Sequence, residues 1–101
     1  MFQLTHSAQV AIVQIQKKTD GLMPMITWFT DSAQREGKWG LGGFVEKADP
    51  NVEALRRQKG ATFFFDVSGI EFIVDGPMHY LNVLEGATLD YVDEGFVLKV
   101  I

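Results

Sequence analysis

The clearest pattern along the chain is a pair of apolar-rich runs, residues 62–67 and 70–75, separated by Ser68-Gly69. Two residues of this type between two such runs predict a tight β-hairpin. The predicted pairs on one face are Val67–Ile70, Phe65–Phe72 and Phe63–Val74. This face is wholly apolar, which indicates that it is turned toward a core.

The other face of the same hairpin pairs Phe64 with Ile73 and Asp66 with Glu71. Two carboxylates directly opposite each other repel unless water or a cation screens them. We expect these two carboxylates to be solvated.

A helix is predicted from about His6 to Lys18, because Thr5 is a suitable N-cap and Gly21 follows the basic last turn. Its apolar face consists of Ala8, Ala11, Ile12 and Ile15. Val10 and Val13 fall on another side, so they either lie under further structure or form a patch for a partner. The β-branched residues leave a strand over 9–16 as the alternative.

The remaining pattern predicts short strands separated by turns. Strands are expected at Met25–Thr30, Lys38–Val45, Ala87–Val92 and Phe96–Val100. A turn is expected at 48–51, and Pro77 is expected to open a short helix through residues 78–81. The predicted fold class is therefore mainly β, with one N-terminal helix and one short late helix, in a single domain of residues 1–101.

The composition excludes several kinds of chemistry. The chain has no cysteine, which removes disulfides, thiolate catalysis and cysteine-ligated metal centres. Its net charge is −4, and residues 60–101 carry Lys99 as their only cation. Nucleic-acid binding is not expected, because the short cluster Arg56-Arg57-Gln58-Lys59 is not a basic stripe. We expect this cluster to be a solvated loop, or else to meet the acidic C-terminal half of a second copy.

No apolar run is long enough to span a membrane, and the first residues lack the features of a signal peptide. We therefore expect a cytoplasmic protein without a membrane contact.

Residues 69–81 form a hydrophobic strand ending in Asp75-Gly76, followed by a short helix that ends in Tyr80-Leu81. A Gly-x-x-Leu-Asp-Tyr-Val strand at 86–92 and Gly95-Phe96 come next. This third of the chain resembles the second half of HesB-like domains, the A-type iron–sulfur cluster carriers. The resemblance implies a HesB-like β-sandwich or partly open barrel.

The resemblance does not extend to the residues that bind the cluster. In that family, the first cluster-binding cysteine lies in a loop between two strands, and Arg35 occupies the corresponding position here. The other two cysteines lie in a C-terminal Cys-Gly-Cys tail that has no counterpart before Ile101. No cluster ligand is carried over, and no cofactor is predicted.

Weaker candidates for chemistry are two sets of polar side chains. His79 with Asp75, Glu71 or Glu85 could form an oxygen-rich metal site, although a metal needs several converging ligands. Arg35 and Lys38, in and beside the polar loop 30–37, are candidates for an anion or partner site.

The glycines at 37–43 are compatible with a phosphate loop. They are better explained as strand glycines against which a tryptophan packs, because no helix follows them.

These observations predict a non-catalytic domain that acts through protein contacts, as a homodimer or with another protein, in a process linked to iron–sulfur cluster biogenesis. The surface would use Arg35, Lys38, Val10 and Val13. The alternative is a protein that binds a metal or a small anion.

Overall fold

The structure is a computed structural model that describes residues 2–30, 37–57, 64–76 and 78–100, with only the backbone at 78–80. The described residues are mainly β, as predicted, and contain seven strands in two sheets. The strands are β1 (Gln3–Leu4), β2 (Leu22–Thr30), β3 (Gly37–Glu46), β4 (Phe64–Val67), β5 (Ile70–Asp75), β6 (Thr88–Val92) and β7 (Gly95–Lys99). The helices are α1 (His6–Lys18), α2 (Pro50–Arg57) and a 3₁₀ helix (Met78–Leu84). No closed barrel forms among these strands.

The smaller sheet, sheet A, has the strand order β1-β6-β7, and the larger one, sheet B, has the order β3-β2-β5-β4. The β4–β5 hairpin has the predicted register from Val67–Ile70 to Phe64–Ile73. Ser68 and Gly69 both have positive φ, which is the turn geometry that matches the twist of the paired strands. The predicted pair Phe63–Val74 lies outside the described residues, because Phe63 is not among them.

Helix α1 has the predicted bounds and cap. The Thr5 hydroxyl accepts the backbone N–H of Ala8 at 3.2 Å, and Lys17 and Lys18 lie in the last turn. Ala8, Ala11 and Ile12 are buried, which confirms three residues of the predicted apolar face, and Ile15 is half-buried.

Helix α2 was not predicted, because Pro50 and Asn51 were interpreted as a turn. Pro50 is instead the first helical residue, where its missing N–H costs nothing. Asp49 caps the helix, since its carboxylate accepts the N–H of Asn51 at 2.8 Å. The pair Asp49-Pro50 was the sequence signal for this helix. Arg56 and Arg57 consequently lie at a helix end, so the prediction of a solvated loop is wrong for these two residues.

Strand β2 begins three residues before the prediction, despite Pro24. Proline cannot donate to a ladder, but at Pro24 the strand pairs with β3 alone, because the β2–β5 pairing covers only Met25–Thr27.

Sheet B carries buried residues on both faces, which pack against different partners. On one face, Ile26, Trp39 and Phe72 join the main core, which also contains α1 and sheet A. On the other face, Ile73 and Met23 pack with Val52 of α2 in a smaller cluster. Helix α2 thus covers part of the outer face of sheet B.

Candidate interaction surface

A cleft of about 300 Å³ runs between β3 and β7, the two neighbouring edge strands of the sheets. Its apolar lining is contributed by Phe29, Trp39, Leu41, Phe96, Val97 and Leu98. Trp39 is buried, whereas Phe29 and Val97 are 45% and 44% exposed. The cleft therefore has a covered apolar floor and two solvent-exposed apolar side chains at its rim.

The Phe29 ring lies against the backbone of Gly40. A Cβ atom at Gly40 would be 3.1 Å from this ring, so the absence of a side chain lets the ring lie close to β3. Phe29 pairs with Lys38 across the β2–β3 ladder, which places both side chains on one face.

Lys38, one of the predicted site residues, lines this cleft and is exposed. It is the only charged residue among the described lining residues. Arg35, its predicted companion, lies outside the described residues.

Val10 and Val13 line a separate shallow groove of about 330 Å³ along α1, and Val13 is half-buried and also packs against the main core. His6 and Lys17 lie at opposite ends of it, and Val10 is 40% exposed. This groove shares no described lining residue with the β3–β7 cleft. The sequence-predicted surface therefore divides into two sites.

The acidic candidates for a metal site are dispersed. Glu71 forms an ion pair with Arg56, which donates to its carboxylate through both terminal nitrogens. The expectation that Glu71 is merely solvated opposite Asp66 is wrong, because a guanidinium neutralises it. Asp75 and Glu85 are exposed, and the His79 side chain lies outside the described residues. No group of three potential metal ligands occurs within the described part of the chain.

The glycines of residues 37–43 lie within β3, as predicted, and not at the start of a helix. A Cβ atom at Gly37 would be 2.1 Å from the Trp28 ring, so this position accommodates the predicted tryptophan packing. The segment is a strand, which does not offer the helix N-terminus of a phosphate loop.

The carboxylate of Asp90 in β6 has three polar contacts. It accepts the Thr5 hydroxyl at 2.7 Å and the Tyr91 N–H at 2.8 Å, and the Lys99 ammonium lies 3.4 Å away. These three donors, led by Thr5, hold the pKa of Asp90 below its ordinary value. The carboxylate therefore anchors the start of α1 to sheet A as a stable anion.

A third depression, of about 200 Å³, lies between α2 and sheet B. Met25, Val52 and Leu55 line its apolar part, and Asp49 and Asp75 lie at its polar side. It is smaller than typical ligand pockets, which measure about 300–1,000 Å³.

Comparison of the sequence with models of known protein families finds no match, and comparison with curated proteins finds none either. No helix in the described ranges has the length and apolar character needed to cross a membrane.

Sequence reasoning missed Phe29 and Val97 as surface residues, although both lie in predicted strands. Alternation was the available signal, since Phe29 lies on the opposite face from Trp28, and Val97 on the opposite face from Phe96 and Leu98.

Proposed function

We propose that this protein is a non-catalytic domain that acts through protein contacts, as a homodimer or with another protein, in a process linked to iron–sulfur cluster biogenesis. The observation that carries the proposal is the pair Phe29 and Val97, which are nearly half exposed at the rim of one apolar cleft. Large apolar side chains grouped around a groove are typical of a surface that a partner covers.

The link to iron–sulfur metabolism rests on the resemblance of residues 69–96 to HesB-like domains. Without cysteine, the chain lacks the thiolates that hold clusters in that family. The proposed role is therefore that of a cytoplasmic accessory protein, whose contacts serve carriers that hold the cluster themselves.

Co-purification tests the proposal. A tagged chain is expressed beside an untagged copy, and the co-purifying proteins are compared between wild type and the variant Phe29→Ser/Val97→Thr. The variant Val10→Thr, at a 40% exposed valine of the α1 groove, is the matched comparison. We expect the first variant to lose a specific protein, either the untagged copy or another, that wild type retains.

If neither variant changes what co-purifies with the folded chain, the proposed function is wrong. Anaerobic reconstitution with iron and sulfide tests the accessory role separately. We expect this protein to stay colourless while a cysteine-containing carrier develops cluster absorption. A cluster on this chain alone would contradict the accessory role.

A further inference from the structure

The β6–β7 hairpin leaves part of one face to solvent, beside Asp90, which lies opposite Val97 and is only 19% exposed. Leu89, Tyr91, Phe96 and Leu98 pack toward the main core, so the alternate residues point away from it. Among these outward residues, Val92 and Val97 are 45% and 44% exposed. We call Val92, Val97 and Lys99 the outer hairpin face.

The charges along this face have opposite signs at its two ends. Lys99, 63% exposed, lies two residues beyond Val97. The acidic turn Asp93-Glu94, also exposed, lies at the other end of β7. A rotation of 180° about an axis through Val97 therefore places Lys99 of one molecule near the acidic turn of another.

We propose that the outer hairpin face binds a second copy of this chain, with β7 antiparallel to the partner's β7 and Lys99 facing the partner's acidic turn. The arrangement is isologous, so every contact occurs twice. Val97 stacks near the axis, and Phe29 at the adjoining cleft rim extends the apolar area. This inference rests on the proposed function and names its partner.

The charge pattern distinguishes this face from the α1 groove. An antiparallel pairing of two α1 helices through this groove would bring His6 toward Lys17 of the other copy, and the described lining residues of the groove include no carboxylate. Of these two described surfaces, the outer hairpin face is the one that is electrostatically complementary to itself.

Because only a few residues make up this face, the dimer should form at high protein concentration and dissociate on dilution. Because its ion pairs lie at the surface, added salt weakens it. Lys99 also interacts with Asp90 of its own chain, and its exposure leaves the ammonium accessible to the partner.

Sedimentation equilibrium over a wide range of concentrations tests the proposal. Val97→Lys should raise the dissociation constant at least about tenfold, because the introduced ammonium groups of the two copies would face each other near the axis. Val10→Lys, at a valine of nearly equal exposure, should leave the constant unchanged.

The acidic turn can be neutralised without harming the hairpin. Asp93 and Glu94 both have positive φ, a conformation that suits Asn-Gly. The variant Asp93→Asn/Glu94→Gly should therefore fold at least as stably as wild type and raise the dissociation constant roughly three- to tenfold.

A charge swap gives the most specific result. Lys99→Glu and Asp93→Lys/Glu94→Lys should each be monomeric alone, because each opposes like charges. An equimolar mixture should form a heterodimer, since one ion contact is restored with reversed sign and the other keeps the wild-type pairing of Lys99 with the acidic turn.

Three results would overturn the inference: a monomer at every concentration, equal dimerisation of wild type and Val97→Lys, or no heterodimer in the charge-swap mixture. If one of these occurs while Phe29→Ser/Val97→Thr still loses another co-purifying protein, the proposed function stands without the homodimer. If the homodimer test fails and the Phe29→Ser/Val97→Thr variant also loses no co-purifying protein, both proposals are wrong.

Discussion

The hydroxyl of Thr5 serves two partners at once. It accepts the Ala8 N–H as the cap of α1 and donates to the carboxylate of Asp90 in β6. The same residue therefore sets where the helix begins and ties that beginning to sheet A. The low pKa of Asp90 follows from this arrangement.

Acid should remove the contribution of Asp90 to stability. Because its folded-state pKa is lowered, the unfolded chain takes up the proton first as the pH falls. The contribution is complete above the ordinary aspartate pKa of 3.8 and is lost as the pH falls through the lowered folded-state value. Urea unfolding at pH 7 and pH 3 should show a smaller loss of stability in Asp90→Asn than in wild type.

The exposed carboxylate of Asp20 supplies the control, and Asp20→Asn should retain the wild-type pH dependence. Thr5→Val should also flatten the profile, because it removes the principal donor. An unchanged profile in Asp90→Asn would contradict the assignment.

Among the secondary-structure elements, α2 is held on the outer face of sheet B partly by Arg56. Its guanidinium lies 4.2 Å from the centroid of the Phe64 ring and donates to Glu71. Phe64 and Glu71 lie on the same face of the hairpin, because the cross-strand pairs Phe64–Ile73 and Asp66–Glu71 are two residues apart. One arginine thus contacts both strands and relieves the repulsion between the two carboxylates.

Replacing this arginine should loosen α2. Arg56→Ala is expected to lower the free energy of unfolding by about 1 kcal/mol, because a partly exposed ion pair and a cation–π contact each contribute modestly. Arg56→Lys should recover only part of this, since an ammonium cannot make the two parallel hydrogen bonds. Chemical denaturation measures both changes.

Arg57→Ala is the matched control. Arg57 is 82% exposed and 3.9 Å from Glu53, so its removal should change stability little. Equal losses at the two positions would show that Arg56 has no special role in holding the helix.

For the molecule as a whole, burial is divided between two apolar clusters on the two faces of sheet B. The main one joins both sheets and α1, whereas the smaller one joins Val52 to Met23 and Ile73. Since the buried apolar contacts of α2 belong to the smaller cluster, the helix should open without the rest of the fold.

Val52→Ala tests this division. The substitution removes buried methyl groups and should cost about 1–2 kcal/mol at the smaller cluster. Amide hydrogen exchange should accelerate more in α2 than in α1. Equal acceleration in both helices would show that the two clusters open only together.

Local rules predicted the elements whose signals are confined to neighbouring residues. The cap at Thr5, the turn at Ser68-Gly69 and the strand alternation gave the bounds of α1, the register of the β4–β5 hairpin and the mainly β class. Helix α2 was missed although Asp49-Pro50 marks its start, because most of its stability comes from packing against Met23 and Ile73.

The candidate surface depended on tertiary structure. The sequence by itself determined that the chain has no thiolate and that Val97, by strand alternation, lies on the opposite face of β7 from Phe96 and Leu98. Only the packing of the two sheets brought β3 beside β7, so that Phe29, Lys38 and Val97 line one cleft. Proximity between residues distant in the chain is a property of the whole fold, and the charge partner of Glu71 likewise became visible only when α2 was placed on sheet B.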